Sequence, residues 1–146
     1  MSSFNMSFEE KSVWASLLII LFVFIAYFSQ VFEGLATDSL DKAEISGLFI
    51  GAVISVVVLE IVLHIVIAVF NVKDADQPID ERDRLFSMKS GNIAGLVLGI
   101  SVVMISMMTF VYEFNGVWVA NILLFAIFVS QIVSYILQLF YYRRGY

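Results

Sequence analysis

Four stretches of the chain stay apolar long enough to cross a bilayer: Val13 to Phe32, Leu48 to Phe70, Ile93 to Tyr112 and Val117 to Phe140. A hydrocarbon core of about 30 Å takes about 20 mostly apolar residues of α-helix, and each stretch meets that length. The pattern predicts an all-α fold, an integral membrane bundle of four transmembrane helices forming one domain over residues 1–146. The first stretch is too long for a cleavable signal, follows Glu9 and Glu10 with only Lys11, and precedes no A-x-A-like site, so it reads as a signal anchor.

The polar segments between these stretches are unequal. Glu113 to Gly116 is short and contains Asn115-Gly116, a tight-turn signal, which makes helices three and four a close antiparallel hairpin. The segment from Glu33 to Gly47 is longer and acidic, with a turn of helix expected over Leu40 to Ile45. The link from Asn71 to Ser90 holds the single proline, Pro78, with Asp76 as a cap before it. Helix three is therefore expected to begin near Pro78, run along the interface and continue to residue 112.

Lys and Arg positions set orientation. With the N-terminus inside, Lys11, Lys73, Arg82, Arg84, Lys89, Arg143 and Arg144 are cytoplasmic and only Lys42 is outside, so both termini are expected in the cytoplasm. Trp14, Tyr141 and Tyr142 at one set of ends and Tyr112 and Trp118 at the other suit interfacial anchoring.

Composition narrows the function classes. Hydrophobic residues make up 61% of the 146 and charged residues 14%, and mean hydropathy is +0.96, which excludes a water-soluble globule. A net charge of −5, with no dense basic patch, excludes nucleic acid as a partner. With no cysteine, thiolate chemistry and Cys-ligated metals are excluded. No nucleophile elbow, phosphate loop or zinc-protease His pair marks an enzyme, and no cofactor is expected.

The informative pair lies inside helix two. Glu60 and His64 are four residues apart, hence on one face. An ionisable side chain at the centre of a membrane helix costs roughly 2.5–3.5 kcal/mol on insertion scales, so it faces protein and has a partner. Gln131, Ser134, Tyr135 and Gln138 on helix four and Ser106 on helix three are the candidates for that partner. A proton or cation relay and a structural hydrogen bond that fixes helix register both fit the pair. A metal site is weaker, because one Glu and one His supply two ligands and two protomers would have to share the ion; haem ligated by His64 across a dimer has no companion signature.

Small residues recur at intervals of four: Gly47, Gly51 and Ser55 on helix two, and Gly91, Gly95 and Gly99 on helix three. Such stripes permit close helix approach in lipid. The helix-two stripe lies roughly 140–180° from Glu60, at about 100° per residue. Two faces of one helix therefore ask for protein neighbours, and a homo-oligomer, a dimer or higher, is expected.

At the entry to helix three, Asp80-Glu81-Arg82-Asp83-Arg84, followed by Leu85, Lys89 and Ala94-Gly95, resembles an uncharacterised family of small prokaryotic four-helix membrane proteins with an Asp-Glu-Arg-Asp motif before a transmembrane helix. The resemblance implies a multi-pass protein of the inner membrane and no particular activity. Physically, the motif is an acid-rich first helical turn whose arginines suit anionic headgroups or a neighbouring chain. Two functions follow as expectations. One is a proton- or cation-linked transporter or channel-like oligomer using Glu60 and His64; the other is a non-transporting sensor, scaffold or partner-binding module using Asp80 to Arg84, with membrane lipids and an unidentified membrane or cytoplasmic protein as partners.

Overall fold

A computed structural model describes residues 7–37, 39–70 and 80–144. They form four long helices: α1 (Phe8–Ala36), α2 (Lys42–Phe70), α3 (Glu81–Val111) and α4 (Gly116–Arg144). Each is long and apolar enough to cross a membrane. A helix of 29 residues, as α1, α2 and α4 are, measures about 43 Å at about 1.5 Å per residue, which matches a bilayer including its headgroup layers.

Every helix starts before its apolar stretch, and a polar residue caps each of those starts. Ser7 opens α1 by accepting from the Glu10 amide at 3.1 Å. Asp41 and Glu44 form a reciprocal capping box, each carboxylate accepting from the other's backbone N–H at 2.8 Å. That box starts α2 at Lys42, so the turn expected over Leu40 to Ile45 is the head of the second helix itself. Asp80 caps α3 through the Arg82 amide; the expected start near Pro78 and the cap at Asp76 lie outside the described residues. In the α3–α4 turn Asn115 caps α4, its side chain accepting from Val117 N at 3.2 Å, and Gly116 is already helical.

Neighbouring helices run antiparallel, as Ser16 with Glu60, Tyr27 with Asn121 and Phe86 with Tyr141 require. Spatial order differs from chain order. The α3–α4 hairpin is the most extensive contact, α1 packs between α2 and α4, and α2 barely meets α4. The spatial order is thus α2–α1–α4–α3. The core lies along α1, where Phe24 and Phe28 meet Phe125 and Phe128 of α4 with ring centroids 5.3–6.3 Å apart. At the end holding both termini, Phe86 is wholly buried against Tyr141 and Tyr142. Elsewhere the surface is apolar: Phe22, Phe70 and Phe110 are 68%, 82% and 91% exposed. Such a surface suits lipid, which is itself apolar, and not water.

Candidate functional site

The site is built where α1 and α2 meet. Ser12 and Ser16, one turn apart and both buried on α1, face His64 and Glu60, one turn apart on α2. Two antiparallel helices carrying polar groups at matching four-residue intervals form two rungs of a ladder. On the deeper rung the Ser16 hydroxyl donates to Glu60 Oε2 at 2.8 Å. On the outer rung Ser12 Oγ lies 3.5 Å from His64 Nε2.

The histidine's geometry assigns its proton. Nδ1 lies 2.7 Å from the Glu60 backbone carbonyl, which can only accept, so Nδ1 carries the N–H. In the neutral ring Nε2 is then the acceptor facing Ser12. Nδ1 is also 3.6 Å from Glu60 Oε2, a contact that becomes an ion pair when the ring is protonated. The His64 side chain is 60% exposed and that of Glu60 20%. The outer member therefore meets the surroundings while the deeper one is mostly enclosed.

Glu60 Oε1 is buried and has no hydrogen-bond partner. Glu60 also lines a cavity of about 320 Å³ between α2 and α4, with Ile20 of α1 behind it. Gln131 and Tyr135 enter the lining from α4. Of the expected partners, these two share the cavity with Glu60, and Tyr135 also lies beside Ser16. Ser134 is half-buried and outside the lining. Ser106 bonds back to the Val102 carbonyl of its own helix at 2.8 Å. Gln138 is buried near Tyr142, farther toward the termini. The direct partners thus come from helix one instead of helices three and four. Ser12 and Ser16 were visible in the sequence as two small polar residues at i, i+4, one at the edge of the first apolar run and one inside it, the signal that pairs with Glu60 and His64.

Among the described residues the small-residue stripes make no close helix contact, and Gly47, Gly51 and Ser55 line open clefts beside α1. A Cβ built on Gly47, Gly51, Gly91, Gly95 or Gly99 would meet no atom within 4 Å, and Ser55 is exposed. The motif before α3 acts mostly inside the chain. Asp80 caps the helix, Arg82 stacks 5.2 Å over the Phe86 ring, and Asp83 lies beside the buried Tyr142 hydroxyl. Glu81 and Arg84 are exposed. Among the described residues no group of three or more His, Cys, Asp or Glu converges as a metal set would. No family model, curated protein or solved structure matches the chain.

Proposed function

We propose that this multi-pass membrane protein moves protons or cations, and that it works as a homo-oligomer in the inner membrane of a prokaryote with both termini cytoplasmic. The observation that carries the reading is Glu60 Oε1, buried without a partner inside a membrane helix. Leaving a buried acceptor unsatisfied costs about 1–3 kcal/mol, and more when it is charged. A proton on the carboxyl group lowers that cost by removing its charge, and a cation at Oε1 removes it by supplying the missing partner. A carboxyl group that is satisfied on one oxygen and open on the other is suited to loading and unloading.

His64 supplies a route to it. Its exposed ring can take a proton at Nε2 from the terminal side, becoming imidazolium, and release the Nδ1 proton to Oε2 of Glu60, 3.6 Å away. The ring then carries its proton on Nε2, where Ser12 Oγ accepts it. The open glycine stripes on α2 and α3 support a second copy, because backbones approach closely where no side chain intervenes. The Lys and Arg bias supports the orientation.

Reconstitution in vesicles with an imposed pH step tests the reading. Wild type is expected to pass protons, Glu60→Gln to abolish the flux and His64→Ala to slow it. Equal background flux in all three overturns it. A second reading, a partner-binding module, is favoured by one observation: Glu81 and Arg84 of the motif are exposed, as are Asp80 and Arg82. On that reading Arg84→Ala reduces oligomer size or partner co-purification without unfolding the protein; unchanged values refute it.

A further inference from the structure

The cavity beside Glu60 has a composition that selects a ligand. Its walls are apolar, Val56 and Val57 of α2 facing Phe128 of α4, and its polar lining consists of Glu60, Gln131 and Tyr135. At about 320 Å³ it is at the lower end of the size range of sites for small organic molecules, roughly 300–1,000 Å³. It exists because α2 and α4 scarcely touch, both being held by α1.

We infer that this cavity binds an amphiphilic organic ammonium ion, its N–H directed at the Glu60 carboxylate and its apolar body lying between Val57 and Phe128. This rests on the reading of Glu60 as the ion-carrying group and names what it carries besides a proton. Charge complementarity makes the choice. The lining holds one acid and no base, which disfavours anions, and apolar walls disfavour small hydrated solutes. A bare inorganic cation needs about six oxygen ligands, and three polar side chains do not provide them. A lipid acyl chain would fill the apolar part but leave Oε1 of the carboxylate without a donor. An ammonium ion meets both halves at once, and the rings of Tyr135 and Phe128 add cation–π attraction.

The test uses the full-length protein in nanodiscs of zwitterionic phosphatidylcholine, with empty nanodiscs subtracted. The probes are 1-naphthylmethylammonium and its neutral isostere 1-naphthylmethanol, measured by equilibrium dialysis. Wild type is expected to bind the ammonium at least tenfold more tightly than the alcohol, about 1.4 kcal/mol. Glu60→Gln, which keeps the side chain's volume, should remove that preference. Val57→Phe, at a position 52% exposed and hence tolerant of bulk, should weaken both probes. Circular dichroism and size-exclusion profiles verify the variants' fold. Equal binding of the two probes by wild type, or an undiminished preference in Glu60→Gln, overturns the inference. Proton flux with no ammonium preference defeats the ligand alone; an ammonium preference without proton flux defeats the relay and leaves the binding site standing.

Discussion

Replacing Ser16 by Ala deletes the one direct hydrogen bond to the Glu60 carboxylate among the described residues and adds no bulk. The bond is 2.8 Å long and Ser16 is 3% exposed, so water cannot substitute for the lost donor from that side. Hydrogen bonds to charged groups contribute about 1.5–3 kcal/mol in soluble proteins, whereas interhelical hydrogen bonds in membranes average about 0.6 and reach about 1.7 kcal/mol. The two scales separate the protonation states of Glu60. Coupling above about 1.7 kcal/mol, beyond the reach of interhelical bonds in membranes generally, belongs to an ionised carboxylate, and coupling near about 0.6 to a neutral acid. The assay is a double-mutant cycle of Ser16→Ala and Glu60→Gln, with unfolding free energies taken by steric trapping in micelles at several pH values. Coupling is expected to exceed about 0.5 kcal/mol, the scatter for independent sites, and to be larger at alkaline than at acid pH. Coupling within that scatter at every pH would refute the Ser16–Glu60 bond as the anchor of the site.

Other elements yield sharper stability tests. A Cβ on Gly34 would collide with the Leu40 side chain across the α1–α2 turn, so Gly34→Ala should destabilise by about 1–3 kcal/mol, and Leu40→Ala in the same chain should recover part of the loss in thermal unfolding. Tyr27 donates to Asn121 at 2.6 Å, both residues being buried; Tyr27→Phe should cost about 0.6–1.7 kcal/mol, measured against Asn121→Ala in a cycle. Phe86→Ala empties a fully buried ring site between Tyr141 and Tyr142; a loss near the lower end of about 3–5 kcal/mol is expected, since lipid offers the exposed surfaces an apolar alternative, and increased protease cleavage near Glu81 would report the loosened α3. Asp41→Ala removes half of the capping box and should cost about 0.5–2 kcal/mol, with hydrogen exchange accelerating over the first turn of α2 and nowhere else.

What the sequence made legible follows from the scale of each signal. Four apolar runs longer than a bilayer leave one solution, and all four helices are present with their centres where the runs lie. Their ends were less legible because the capping residues compete with loop readings: Asp41 and Glu44 look like members of an acidic loop until their spacing of three is read as a box. Glu60 and His64 stood out because charge in hydrocarbon is costly. Their partners did not, because serine is cheap in a membrane helix and can satisfy itself on its own backbone, as Ser106 does. Depth pointed to helix four, but depth alone does not order helices around an axis. The spatial order α2–α1–α4–α3 puts α1 against α2, and that order depends on ring packing between Phe24, Phe28 and α4 that no periodicity reveals.

The same order ties stability to titration. α2 buries only Ile45 and Ala52 fully, and in lipid its remaining apolar surface gains nothing by leaving one hydrocarbon for another. Its side-chain hydrogen bonds to α1 are those of His64 and Glu60. On the proposed function these are also the groups whose charge changes when a proton or cation is exchanged. Altering that charge must therefore alter how firmly the C-terminal half of α2 is held, while buried Ile45 and Ala52 hold its other end. Spin labels at exposed Leu18 and Val62 should show a pH-dependent change in the α1–α2 distance in wild type. Labels at Gln30 and Ser46, near the box, should not move, and Glu60→Gln should abolish the first change. A displacement of equal size at both ends would mean that the whole helix shifts, and that the Glu60–His64 ladder is not the hinge between loading and movement.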